Sequence, residues 1–271
     1  MVDTSLNEIK ISIIMGIYNC AKTLPVAIES ILEQTCQSWK LIMCDDGSKD
    51  DTYAVAERYQ LQYPDKIVLI KNEKNMGLNY TLNHCLQYAD TEYIARMDGD
   101  DISLPTRLEK ELRFLEENPQ YAIVSTPMIY FDEEGDFRIG KGGGEPSVKK
   151  MVTGTPFCHA PCMVRKVAYD AVEGYAVDEK LLRVEDWDLW IRMYEKGYKG
   201  YVLEEPLYKM CDDRNATARR KFKYRFNEMR VSASVVKRLK LPFWHYVRTL
   251  RPIIVGLLPG PLYLWLHKRK K

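Results

Sequence analysis

The stretch Tyr93–Asp101, YIARMDGDD, runs an apolar segment straight into three carboxylates within four positions. Like charges crowded this closely repel one another, so the cluster needs a partner to be worth having. Tyr93–Met97 reads as a buried strand, and the acids as the loop leaving its carboxyl end. Two earlier runs repeat the pattern. Residues 11–15, ISIIM, end at Gly16, and Trp39–Cys44, WKLIMC, stop at Asp45-Asp46-Gly47-Ser48. Lys66–Ile70 reads as a further strand.

Helical patterns fall between these strands. Thr23 is placed to cap a helix with Pro25 in its first turn. Others are expected from Asp50 or Asp51 to about Gln62, from about Asn79 to Tyr88, and from Pro105 to about Glu117. Ala122–Ile129 is strand-like, and a helix follows Val184 with Gly197 at its C-cap. Strands alternating with helices predict an α/β protein with a mostly parallel sheet flanked by helices. Ligands bind such sheets beyond the carboxyl ends of the strands. Tyr18-Asn19, Asp45-Asp46 and Asp98–Asp100 all lie at such ends and are expected to converge on one edge. Gly140–Gly144, with four glycines and a lysine, reads as a mobile loop near that edge.

The composition is that of a folded protein, and the net charge of +2 hides a division. Residues 214–271 carry 16 Lys and Arg against one acid, Glu228, whereas residues 1–213 carry a net −13. The expected organisation is therefore an acidic body, 1–213, and a basic, mainly helical extension, 214–271, that seeks an anionic partner. The extension follows its cationic block with apolar segments rich in Trp, Tyr, Phe and Leu, but the apolar stretch Pro252–Leu266 is broken at Pro259-Gly260-Pro261. A span needs about 20 predominantly apolar residues, so an interfacial segment on an anionic membrane is expected instead. Nucleic acid is not expected, because the aromatics cluster with aliphatics and not with the basic block. The seven cysteines lack framework spacing, and the first ten residues, MVDTSLNEIK, hold acids and no apolar run. Both favour reduced thiols in the cytoplasm, with the protein peripheral at the inner face of the membrane.

The chemistry lies with the acids. In extended chain Asp98 and Asp100 share a face, and two oxygen ligands on one side suit Mg²⁺ or Mn²⁺. A metal there offsets both their repulsion and the charge of a diphosphate. Asp101 can be a simple turn and helix-cap residue. Asp46 is placed to accept hydrogen bonds from a nucleobase or ribose, with Tyr18 as a flat face beneath the base. Glu185-Asp186 opens a helix, where acids are favoured by the dipole, yet a carboxylate there can also serve as a general base.

The ordered set IYN, DDGS, N-x-G (Asn75 to Gly77), D-x-DD and ED-x-D-L-W resembles the family 2 glycosyltransferases, which are inverting enzymes of GT-A fold. The likeness covers nearly all of residues 9–210 and is nearest to bacterial members that build capsules and exopolysaccharides. It implies a hexosyl transfer from a nucleotide-diphosphate sugar, a UDP-sugar first, to a hydroxyl of a glycan or lipid-linked acceptor. Gly16, Tyr18, Asn19, Asp46, Asn75 and Asp98 match donor-binding positions. Asp100, with Asp98, matches the metal site, and Asp186, with Glu185 as second choice, the catalytic base. His159 falls where relatives carry a histidine facing the site. Leu78 departs from the pattern, since relatives often have arginine there. The alternative is a non-catalytic protein that keeps the fold and docks on a membrane or partner through its tail. Release of a nucleoside diphosphate separates the two.

Overall fold

The computed structural model describes residues 9–212 and 222–257. In chain order the strands are β1 (Ile11–Ile17), β2 (Trp39–Asp45), β3 (Ile67–Lys71), β4 (Tyr93–Arg96), β5 (Ile102–Ser103) and β6 (Tyr121–Ser125). They continue with β7 (Met128–Asp132), β8 (Gly135–Ile139), β9 (Met163–Arg165), β10 (Lys199–Val202) and β11 (Tyr208–Cys211). The first four helices are α1 (Leu24–Leu32), α2 (Thr52–Gln62), α3 (Leu78–Leu86) and α4 (Arg107–Glu117). Then follow α5 (Lys166–Asp170), α6 (Glu185–Glu195), α7 (Lys223–Arg238), α8 (Tyr246–Thr249) and α9 (Arg251–Gly256).

The main sheet has seven strands in the order β10-β6-β9-β4-β1-β2-β3. Each strand from β1 to β3 is parallel to its neighbour, as are β1 with β4 and β10 with β6. β9 alone runs antiparallel, between β4 and β6. Both faces are covered, which explains why ISIIM and LIMC are apolar without alternation. Ile13, Met15 and Leu41 pack to one side, Ile14, Ile42 and Cys44 to the other.

Four expectations change. The run Ala122–Ile129 is two strands in two sheets: β6 ends at Ser125, and β7 starts at Met128 in a second sheet, β5-β11-β7-β8. Pro127 stands at the break, where its missing N–H cannot extend a ladder. Thr23 does not cap α1 through its side chain; its hydroxyl donates to the Gly99 carbonyl at 2.9 Å, tying α1 to the acidic loop. Asp101 does not cap α4 either, and accepts instead from the Cys211 backbone at 2.8 Å. The Gly140–Gly144 loop is docked, with Gly140 N–H on the Met128 carbonyl at 2.8 Å and Gly144 exchanging two 3.0 Å bonds with Val202. A Cβ on Gly142 would stand 2.6 Å from Val202 Cγ1, so glycine serves close packing there.

α7 lies on α6: Val231, Val235 and Val236 bury against Trp187, Ile191, Met151 and Val152. Among the described residues no helix is long and apolar enough to cross a membrane. Arg214–Lys221, with its cationic block, and the apolar stretch beyond Leu257 lie outside the described residues.

Candidate active site

β1 and β2 deliver Gly16–Tyr18 and Asp46 to one cleft of about 190 Å³, which Asn75, Gly77, Leu78 and Thr81 complete. Tyr18 is exposed there, its ring open to a flat ligand. Gly16 is required by the approach of α3, because a Cβ would meet Thr81 Cγ2 at 3.1 Å. Asn19 and Asp98 are not in the cleft lining. Asn19 instead knits two loops together, donating its N–H to Ser48 Oγ at 3.1 Å and accepting from Lys49 N at 2.8 Å. It does so with φ of 50°, a left-handed backbone that asparagine tolerates better than most residues.

Asp46 is buried and holds up the floor of the cleft. Its Oδ1 accepts from Asn72 Nδ2 at 2.8 Å and Met76 N at 2.7 Å, and its Oδ2 from Gly77 N at 2.9 Å. Asn72 also donates to Thr81 Oγ1 at 3.0 Å, and its Oδ1 lies 2.8 Å from His84 Nδ1. Asn72, Thr81 and His84 were not singled out by sequence. Only a polar residue closing the apolar strand IVLIK hinted at Asn72. Asp46→Ala leaves three donors without their acceptor, at about 1–3 kcal/mol for each that stays buried. The expected result is a urea midpoint lowered by the equivalent of about 2–4 kcal/mol, together with loss of donor affinity. An unchanged midpoint would show that Asp46 does not organise the 75–77 loop.

The second group of acids sits at the end of β4. Arg96 is buried, and its guanidinium meets Asp98 Oδ1 at 2.5 Å. Asp98 N–H donates to the Tyr208 hydroxyl at 3.2 Å, so β11 in the second sheet props the loop. Gly99 is pressed onto α1's approach, where a Cβ would lie 2.9 Å from Cys20 Sγ. Asp100 is exposed at the tip. Partial desolvation, followed by the Asp98 charge, holds its carboxyl above the usual range. Asp101 is pushed up to about 8 by burial and then by Asp98 and Asp100, and its Oδ2 has no partner among the described residues. Beneath them Arg107 donates to the Arg96 carbonyl at 2.9 Å and pairs with the fully buried Glu111 at 3.2 Å.

The third group opens α6. Asp186 Oδ2 accepts from Thr155 Oγ1 at 3.1 Å. Burial, then the Glu185 charge, raises its carboxyl to about 6, while the Trp187 N–H and the Thr155 hydroxyl pull the other way. Desolvation therefore outweighs the helix terminus here. Glu185 Oε2 is buried without a partner among the described residues. Asp188 is structural, bound to Arg192 Nε at 2.7 Å. His159 stands behind the site, 2.8 Å from the Tyr175 hydroxyl and edge-on to Trp190. Burial and the Arg96 charge hold it well below its usual range, so its ring is neutral.

Arg96 is the residue that sequence reading passed over. A lone cation in the apolar run YIARM was its signal, since a buried charge must be paired. It pairs directly with Asp98, and its charge adds a smaller downward pull, after burial, on Asp100, Asp186 and His159. Asp98 and Asp100 fit a hard divalent ion of the kind that binds through one or two carboxylates plus ligand phosphates. Two crowded acids, one exposed and one only half-committed to Arg96, are the donor set such an ion takes.

The family model for glycosyl transferase family 2 matches residues 12–172. The putative glycosyltransferase EpsE of Bacillus subtilis (strain 168) is 44% identical over 263 residues, 96% of this chain and 94% of that protein. Among solved structures, S. aureus TarS 1–349 in complex with UDP-GlcNAc superposes with a TM-score of 0.70 at 17% identity, over 89% of this chain and 73% of that one. The mannosyltransferase PcManGT of Pyrobaculum calidifontis, in complex with GDP-Man and Mn²⁺, gives 0.63 at 14% identity, over 96% and 79%. The likeness to these neighbours makes the mixed, mostly parallel sheet a GT-A fold. With the family model spanning more than half of the chain and so close a relative spanning nearly all of it, the chain belongs to glycosyl transferase family 2.

Proposed function

We propose that this glycosyltransferase moves a hexosyl group from a nucleotide-diphosphate sugar to a hydroxyl of a glycan or lipid-linked acceptor, by one inverting displacement that depends on Mn²⁺ or Mg²⁺. The observation that carries this reading is the pair of crowded acids at the end of β4, Asp100 exposed and Asp98 bound to Arg96, in a chain of glycosyl transferase family 2. The neighbouring UDP-GlcNAc and GDP-Man complexes support a nucleotide-sugar donor. Tyr18 offers its ring to the base, while the loop that Asp46 holds, with Asn75, borders the ribose and phosphates. Asp98 and Asp100 would hold the divalent ion, which would supply positive charge to stabilise the departing diphosphate. Asp186 accepts the acceptor's proton as its oxygen attacks the anomeric carbon from the face opposite the diphosphate. A UDP-sugar is the first donor to test, and the acceptor is met at the inner face of the membrane.

The test is nucleotide release from UDP- and GDP-sugars with Mn²⁺, beside a thermal-shift screen of the same ligands. A ligand at 100 times its Kd stabilises the folded state by about 2.7 kcal/mol. Metal-dependent release with a matching thermal shift is expected. No shift and no release with any donor would overturn the reading.

A further inference from the structure

Phe243, Val247, Leu250, Ile254 and Leu257 are all 49–79% exposed, and they recur at intervals of four, three, four and three residues. The segment is helical almost throughout: a 3-10 turn over Phe243–His245, then α8 and α9, with Leu250 between them also in the helical region. At that spacing the five side chains form one stripe. His245 and Thr249, on the opposite side, are buried. The inner side is anchored to the body, with Gly256 against Phe222 and Arg251 donating to the Thr153 carbonyl at 3.1 Å. The stripe is thus an apolar ridge held outward on an ordered support, not a frayed end.

Its surroundings say what covers it. Between Lys223 and Leu257 stand eight Lys and Arg and one acid, Glu228. Among the described residues Lys237, Lys240 and Arg248 have no acidic partner, and all three are exposed. Trp244 and Tyr246, also exposed, flank the ridge. A second copy of the chain is a poor occupant, because a symmetric pairing sets the same patch against itself and so cation against cation. The ridge also spans about two heptads, shorter than a paired helix needs. Apolar groups at one level, aromatics beside them and cations around them match a bilayer interface with anionic headgroups.

We propose that this ridge is a membrane-docking surface that lies in the interface of an anionic bilayer. The proposal deepens the reading of an acceptor met at the membrane, and rests on it only for its purpose. It also orients the enzyme. α7 joins the ridge to α6, and Arg251 reaches Thr153, two residues from the Thr155 that binds Asp186. Docking therefore places the α6 terminus, with Asp186, on the part of the body that supports the docked helices.

The experiment is flotation of the full-length chain with vesicles of phosphatidylglycerol and phosphatidylethanolamine, and with phosphatidylcholine alone. The wild type is compared with a Val247→Glu, Leu250→Glu, Ile254→Glu variant, whose exposed positions leave the core untouched. Expected are binding to the anionic vesicles that weakens with salt, and a bound fraction at least about tenfold lower in the variant. Equal flotation of both chains, or none by the wild type on anionic vesicles, overturns the proposal. So does a variant that changes only oligomeric state in sedimentation, which would assign the ridge to a second copy. Nucleotide release is measured on the same samples. Its absence with flotation intact counts against the transferase reading, and its persistence in a non-floating variant supports the ridge as a docking surface alone.

Discussion

Asp186→Asn is expected to lower sugar transfer by about 10²–10⁴-fold while donor affinity stays within about twofold. In the proposed role the carboxylate meets only the acceptor: its hydrogen-bond partner is Thr155, and it takes no part in the cleft lined by Tyr18 and Asp46. With its acidity set near 6, Asp186 is mostly ionised at neutral pH and able to take a proton. As pH falls through about 6 the base fills, and transfer drops by about tenfold per further unit. The asparagine variant should lose that acid limb along with the rate. Stability moves the other way. A carboxyl raised in the folded state favours folding below its unfolded value, and this contribution is lost as pH rises through about 6. At pH 7 the wild type therefore carries a partly desolvated charge that the variant does not, and the variant should be no less stable. Calorimetry showing a collapse of donor affinity in Asp186→Asn would move this residue to the donor site.

The parts of this site that were legible in sequence are those where chemistry and chain order coincide. Apolar runs without alternation announced β1, β2 and β4, and each ended in the polar group it delivers. Gly16 and Gly77 follow from crowding and from a φ of 87°, constraints that leave a mark in sequence. What escaped was set by contacts far apart in the chain. β9 has only three residues, too short for a period, and its antiparallel place between β4 and β6 is decided by neighbours distant in sequence. The second sheet was invisible for the same reason, although its Tyr208 and Cys211 hold the acidic loop in place. Asp46 and Asn19 were identified as ligand-facing, and the structure engages both in bonds to the chain's own backbone. A carboxylate that will meet a ligand and one that shapes a loop look alike until the donors around them are known. Thr23 makes the same point, since its hydroxyl serves the loop at Gly99 and not the helix it precedes.

Asp100→Asn is expected to lower turnover by about 10²–10³-fold or more, with the fold intact. Three observations separate it from its neighbours. Asp98 has one oxygen committed to Arg96, and Asp101 is buried with an oxygen on the Cys211 backbone. Asp100 alone of the three is exposed, at the tip of a loop that Gly99 brings hard against Cys20. It is therefore the carboxylate with the most freedom to meet an ion, and partial desolvation and the Asp98 charge make its own charge costly when no metal is bound. Asparagine keeps the shape, removes the charge and relieves the repulsion, so thermal stability without metal should be equal or slightly higher. With metal the order reverses. Mn²⁺ and donor together should raise the wild-type midpoint, and the variant should show at most a small part of that shift, because binding to the folded state alone sets its size. The decisive comparison is turnover against Mn²⁺ concentration. A variant that needs far more metal and still turns over slowly fits a lost ligand, whereas wild-type turnover at limiting Mn²⁺ would remove Asp100 from the metal site and leave Asp98 to hold the ion against the pull of Arg96.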